Sequence, residues 1–156
     1  GIFIVNNYIG FYFEISEAEI TSFVNDISRR LRAVNHAITI SAAVYPAPAK
    51  ALALGQDWAA WLRNQAIDYV CPMTYTEHPG QFARWLAECQ SYSGNATSRL
   101  LAGIGSGADE SQLDASGATA QIFMVREKNW RGFAFFAVDP ELLRRTLPDI
   151  QKALGN

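Results

Sequence analysis

Apolar and polar positions along the chain change period several times, and each change marks an element. Ile67, Tyr69, Val70, Cys71 and Met73 form a nearly continuous apolar run, the pattern of a strand covered on both faces, as in a parallel sheet. Pro72 lacks a ladder donor and predicts the end of that strand or a bulge. Residues 37–44 repeat the pattern and are stopped by Tyr45-Pro46-Ala47-Pro48, because two prolines cannot continue a ladder. Residues 100–104 and 132–138 supply two further strands. Residues 2–13, interrupted by Asn6-Asn7, fit one bent strand or a short hairpin.

Between these runs the period shifts to that of a helix. Ser16-Glu17-Ala18-Glu19 is a capping box, and Ile20, Phe23, Val24, Ile27, Leu31 and Val34 continue from it as one apolar stripe. Arg29, Arg30 and Arg32 near its end read as a solvated face that complements the helix dipole. A short helix over 56–64 carries Trp58, Trp61 and Leu62 on one side. Pro79 suits the first position of a helix striped by Phe82, Trp85, Leu86 and Cys89. A helix over 115–129 turns Ile122 and Val125 inward, and Asp139-Pro140 opens a terminal one.

The strands near 40, 70, 102 and 135 recur about every 32 residues, each followed by a helix, which is the length of a βα unit. Four such units, or five with the amino-terminal strand, predict a single α/β domain over 1–156 with parallel strands. A complete (β/α) barrel takes about 250 residues. The chain is therefore read as an open doubly wound sheet or as part of a TIM-type barrel.

Composition narrows the function classes. Thirteen basic against fifteen acidic residues leave a net charge of -2, with no electrostatic footprint for nucleic acid or an anionic membrane. Cys71 and Cys89 lack the spacing of a zinc site or disulfide framework and read as buried thiols; no metal or cofactor is expected. No run of about 18 apolar residues predicts a spanning helix. The opening Gly1–Val5 has no basic leader, which makes the cytoplasm the default expectation.

Parallel α/β folds place ligands at the carboxyl ends of their strands. Tyr45, Trp58 and Tyr75 are expected to surround those ends, with Thr74 and Thr76 offering hydroxyls; sugar rings stack their CH faces on such aromatics. Glu77 follows its strand directly, with His78 beside it, making this pair the candidate acid and its neighbour. Asp109 and Glu110 lie on the loop after Gly107, and Glu14 follows an aromatic run. Trp61, Trp85 and Trp130 read as helix-to-sheet packing. Gly103, Gly105 and Gly107 do not have GxGxxG spacing and read as a close-packed strand end.

The runs Ser41-Ala42-Ala43-Val44-Tyr45-Pro46, Gly55-Gln56-Asp57-Trp58 with Trp61-Leu62, and Asp68 to Thr76 carry a resemblance, continued by Leu101 to Gly105, Gln121-Ile122, Arg126 and Gly132 to Phe136. In this order they resemble the carboxyl-terminal half of bacterial family-ten-like glycosyl-hydrolase TIM barrels, over about residues 16–150. The resemblance implies a half barrel of four to five βα units, with carboxylates as the catalytic groups. In that family an upstream strand brings an acidic residue to the site; here Asn7 can be laid over it, and Gly10 stands where an arginine is expected.

Two readings follow. One is a glycosyl-hydrolase-related partial barrel, carbohydrate-related by ancestry and catalytically incomplete, with Glu77 and His78 as catalytic candidates and Tyr45, Trp58, Thr74, Tyr75 and Asp109 as substrate contacts. The other is a non-catalytic oligomer with a structural or binding role. A half barrel leaves strand edges and an interior face uncovered, so a homo-oligomer, and first of all a dimer, is expected.

Overall fold

The computed structural model describes residues 2–5, 8–11 and 16–155. Asn7 and Glu14 lie outside them. Strands β1 (Ile2–Val5) and β2 (Tyr8–Phe11) pair antiparallel, with Ile2 opposite Phe11. The amino-terminal segment is thus a hairpin of its own rather than a fifth parallel βα unit.

Helix α1 (Glu17–Val34) starts where the capping box predicts. The Glu19 amide donates to Ser16 Oγ at 3.3 Å, and the Glu19 carboxylate accepts from the Ser16 amide at 2.8 Å, which satisfies two amides that a helix start leaves orphaned. Strand β3 (Ser41–Val44) follows, then the short helices α2 (Pro48–Ala53) and α3 (Trp58–Arg63). Strand β4 (Tyr69–Pro72) ends at its proline, and α4 (Pro79–Tyr92) has Pro79 in its first turn. The remaining elements are β5 (Leu101–Gly105), α5 (Ala115–Glu127), β6 (Gly132–Phe136), a π-helical turn (Leu142–Thr146) and α6 (Leu147–Ala153). Asp139 Oδ1 accepts from the Leu142 amide at 2.7 Å, the capping contact its position before Pro140 predicts.

Strand β3 pairs in parallel with β4, and β5 with β6. A single parallel bridge, Val70 to Leu100, links the two pairs, so β3, β4, β5 and β6 lie side by side in chain order. Side chains alternate across them, as the pleat requires. Val44, Val70, Leu100, Ala102 and Ile104 point into the helix layer, joined by Ala42, Phe133 and Phe135. Trp58, Ile67, Phe82, Leu86 and Ile122 meet them there, all enclosed. Each such side chain contributes about 1.5–3 kcal/mol by leaving water, so Leu86→Ala, which also leaves a cavity, costs about 3 kcal/mol. The opposite face carries Ser41, Ala43, Cys71, Gly103 and Ala134; Ser41, Ala43 and Ala134 are exposed. A parallel sheet ordinarily has both faces covered.

Helix α1 departs from its predicted stripe. Ile20 and Val24 pack onto the core, and Thr21 Oγ1 accepts from the indole of Trp61 at 2.8 Å. Phe23 and Val34 remain 64% and 88% exposed, and Ile27 and Leu31 are also on the surface. A straight helix packed chiefly on α3 covers a narrower arc than the six positions span.

The amino ends of the strands are tied together by arginines. Arg99 donates to the carbonyls of Leu62 at 2.7 Å and Asp68 at 2.9 Å, and to that of Ile67. Arg32 belongs here rather than to a solvated face: it donates to Ser28 Oγ at 2.8 Å, Asp68 Oδ2 at 3.0 Å and the Gln65 carbonyl. Arg29 and Arg30 do face solvent, both paired with Asp26. Arg131 lies over the Tyr69 ring, 4.3 Å from its centroid. A cavity of about 610 Å³ opens between these groups. Partial burial works to raise the Asp68 pKa, but the Ile40 amide and Arg32 outweigh it and hold the carboxyl below its ordinary value.

Candidate functional site

The residues that follow β3 and β4 are held by hydrogen bonds that leave them little freedom. The Tyr45 amide donates to Gln56 Oε1 at 2.9 Å, and Cys89 Sγ donates to the Pro46 carbonyl at 3.0 Å. Burial pushes the Cys89 thiol up to about 12, so it stays protonated as a donor. After β4, the Thr74 hydroxyl donates to the Gly103 carbonyl at 2.7 Å, and Gln121 Nε2 donates to the Thr76 carbonyl at 2.7 Å. Glu77 Oε1 accepts from the Gln112 amide at 3.0 Å. The segment 74–77 is therefore pinned to β5, to α5 and to the loop between them.

Glycine shapes the floor. A Cβ on Gly103 would stand 2.8 Å from the Pro72 carbonyl oxygen and 3.0 Å from Tyr75 Cε1; one on Gly105 would stand 2.8 Å from Ser111 Cβ. Only glycine admits backbone and ring at these separations, which is the close-packed strand end read from the sequence. Tyr75 is thereby laid over Gly103 and stacks on Phe136, with centroids 5.4 Å apart and ring planes 17° apart.

The result is a cavity of about 600 Å³ at the carboxyl ends of the strands. Tyr45, Met73, Tyr75, Trp85 and Phe136 supply its apolar wall, and Lys50, Asp109 and Glu110 its charged groups. Lys50 Nζ donates to Tyr45 Oη at 2.7 Å and lies 4.1 Å from that ring's centroid. Burial, then the neighbouring Cys71 and Glu110, raise the Tyr75 pKa, so the phenol remains a neutral donor. The volume falls within the range of about 300–1,000 Å³ typical of small-molecule pockets.

Of the seven residues singled out from sequence, Tyr45, Tyr75 and Asp109 meet in this cavity. Thr74 lies directly beneath, fully enclosed, its hydroxyl committed to Gly103 because a buried hydroxyl must find a partner. It positions the strand end instead of facing a ligand. Glu77 and His78 are exposed on the loop leading to α4, outside the cavity wall; the Glu77 carboxylate is occupied by the Gln112 amide. Trp58 departs furthest from expectation. It is 0% exposed and packs edge-on against Tyr92, 4.7 Å between centroids. Asp57 causes this by capping α3 through the Ala60 amide at 3.0 Å while accepting from Tyr92 Oη at 2.9 Å, which turns the indole into the core.

Glu110, named from sequence with Asp109 on the loop after Gly107, joins it in the wall, whereas Lys50, Trp85 and Phe136 are wall residues that sequence reading does not single out. Trp85, which the sequence pattern places in helix packing, stands at the margin of the α4 stripe and reaches the cavity. For Phe136 the signal was the strand alternation, which puts it on the face opposite Phe133 and Phe135. Among the described residues no three His, Cys, Asp or Glu side chains cluster closely enough to hold a metal ion. Compared with family models, curated proteins and solved structures, the chain finds no match.

Proposed function

We propose that the chain is a partial (β/α) barrel related to glycosyl hydrolases, which binds a carbohydrate at the carboxyl ends of its strands and does not hydrolyse it unaided. The observation that carries this reading is the cavity wall itself. Three flat or near-flat surfaces, Tyr45, Tyr75 on Phe136, and Trp85, border one space with Lys50, Asp109 and Glu110. Stacked rings match the apolar faces of a pyranose, and the charged groups match its hydroxyls. Four parallel strands in chain order, each followed by a helix on the same side, support the barrel ancestry.

Binding without turnover follows from the carboxylates. Glycoside hydrolysis takes two carboxyl groups facing each other across the scissile bond, about 5–5.5 Å apart for retention or 6.5–9.5 Å for inversion. Asp109 and Glu110 are neighbours on one loop of the cavity, and Glu77 is bonded to the Gln112 amide. A carboxylate from the opposite wall has no counterpart among the described residues lining the cavity.

Titration of the protein with xylo-, cello- and chito-oligosaccharides by calorimetry or NMR tests the reading, alongside turnover of aryl glycosides. Saturable binding lost in Tyr75→Ala, with no turnover, is the expected result. Absence of binding to every sugar overturns it. Turnover that disappears in Asp109→Asn, Glu110→Gln or Glu77→Gln replaces it with a hydrolase.

A further inference from the structure

Among the described residues, β3 and β6 are the outer members of the parallel set and pair with no further strand, and the helical segments next to them in the chain carry exposed apolar side chains. On α1, the helix that leads into β3, Phe23, Ile27, Leu31 and Val34 face solvent at helical spacing. Beyond β6, Val138 and Leu143 are exposed, Leu143 by 54%. The face between the edges carries Ser41, Ala43 and Ala134, all exposed, beside the partly buried Cys71 and the Gly103 that Tyr75 covers, and these positions bear no formal charge. Open edges and apolar patches of this kind favour association with a partner that supplies the missing strands.

We propose that the occupant is a second copy of this chain, related by a two-fold axis parallel to the strands, so that β6 and Leu143 of each copy meet β3 and the α1 stripe of the other. The inference rests on the partial-barrel reading above. Rotation about an axis along the strands preserves their direction, so the new β6-to-β3 joints are parallel, as every existing joint among these strands is. Both joints are the same contact made twice, the requirement for a closed two-fold interface. Four strands from each copy give the eight of a closed (β/α) barrel, which abolishes both edges. A neutral face creates no like-charge repulsion against its own copy. Closure also sets each copy's Tyr45, Tyr75 and Phe136 across the lumen from the other's, so the cavity that is one-sided in a single chain acquires its opposite wall from the partner.

Light scattering coupled to size exclusion, over a hundredfold range of concentration, reads the outcome directly. The expected mass is twice that of the 17.2 kDa chain. Phe23→Glu combined with Val34→Glu on one edge, and separately Leu143→Glu on the other, should each yield a monomer with unchanged far-ultraviolet circular dichroism. Phe123→Glu, at an exposed position on α5 within the helix layer, should leave the dimer intact. These positions are on the surface, so loss of fold is not the expected confounder; the dichroism and the two independent edges guard against it. A wild-type chain that stays monomeric throughout overturns the proposal, as does a dimer that survives both edge variants. Concentration-dependent growth beyond the dimer overturns it too, because it means edges that join without closing. Sugar binding by a monomer would remove the dimer and leave the binding reading standing, whereas a dimer that binds no sugar would do the reverse.

Discussion

The two ends of the parallel strands hold cavities of nearly equal size, about 610 Å³ at the amino ends and about 600 Å³ at the carboxyl ends, built from opposite chemistry. At the amino ends the polar groups are spent on the protein itself: Arg99 on three main-chain carbonyls, Arg32 on Ser28, Gln65 and Asp68. At the carboxyl ends main-chain groups are satisfied from below, by Thr74 and Gln121. That leaves the faces of Tyr75 and Trp85 and the carboxylates of Asp109 and Glu110 turned to the cavity. Volume does not distinguish a binding site from a structural gap. What distinguishes them is whether the lining groups still have interactions to offer, and parallel folds divide stability and function between their two ends in this sense.

The difference between the two ends is largest at Arg99. Arg99→Ala leaves the carbonyls of Leu62, Ile67 and Asp68 without their charged donor. Hydrogen bonds to charged groups are worth more than neutral ones, and water entering the open cavity recovers part of the loss, so the expected cost is about 3 kcal/mol. Urea unfolding measures it. Sugar affinity at folded temperatures should stay within about twofold of the parent, since a tenfold change corresponds to 1.4 kcal/mol of binding energy. An equal loss of affinity and stability would mean that the two ends are not separable.

Tyr75→Ala is the reverse case. It removes the stacked partner of Phe136 and the cover over Gly103, at a stability cost of about 1–2 kcal/mol for a half-buried ring with one aromatic pair. Ligand affinity should fall by at least about tenfold, since a central aromatic anchor carries a large share of binding energy. A variant that unfolds more easily yet binds as before would assign Tyr75 to structure alone.

Much of this architecture is legible locally in the chain. The capping box at Ser16, the stop at Pro72 and the helix start at Pro79 are decided within a few residues, by backbone donors present or missing. Helix α2 was hidden because Pro46 and Pro48 read together as breakers, whereas Pro48 opens the helix, where its absent donor costs nothing. The candidate site was legible only in part. Trp58 and Trp85 sit on helices with similar apolar patterns, and the rotation of each helix about its axis decides which indole faces the cavity. That rotation is set by tertiary partners, Tyr92 bonded to Asp57 in one case, and no local pattern encodes it. The outward half of the α1 stripe is illegible for a related reason: periodicity reports an apolar face but not what covers it.

At the amino end, Asp68 provides a smaller effect with a definite sign. Its carboxyl titrates below the ordinary 3.8, because the Ile40 amide and Arg32 favour the charged form more than burial disfavours it. A depressed carboxyl stabilises the fold at pH values above its unfolded pKa and loses that contribution as pH falls through the folded value. Stability should therefore drop below about pH 4 in the parent, and this part of the drop should vanish in Asp68→Asn. Because the side chain is more than a third exposed, solvent screens the pair and the cost of Asp68→Asn at neutral pH should stay below about 1 kcal/mol. Unfolding midpoints of both proteins between pH 3 and pH 7 test this, with a parallel acid dependence in the two as the contrary result.

Within the carboxyl end, Glu77→Gln has the smallest expected effect. The exposed carboxylate accepts one amide hydrogen bond, from Gln112, and the amide oxygen of glutamine can accept the same bond. Stability should change by less than about 0.5 kcal/mol. Since Glu77 is outside the cavity wall, sugar affinity should be unchanged as well. Glu110→Gln should weaken the affinity severalfold, because its carboxylate faces the cavity and a charge-assisted acceptor is about twice as strong as a neutral one. Equal effects from the two substitutions would place the ligand across the 74–78 loop rather than within the aromatic wall, and would return Glu77 to the catalytic position that its place after β4 first suggested.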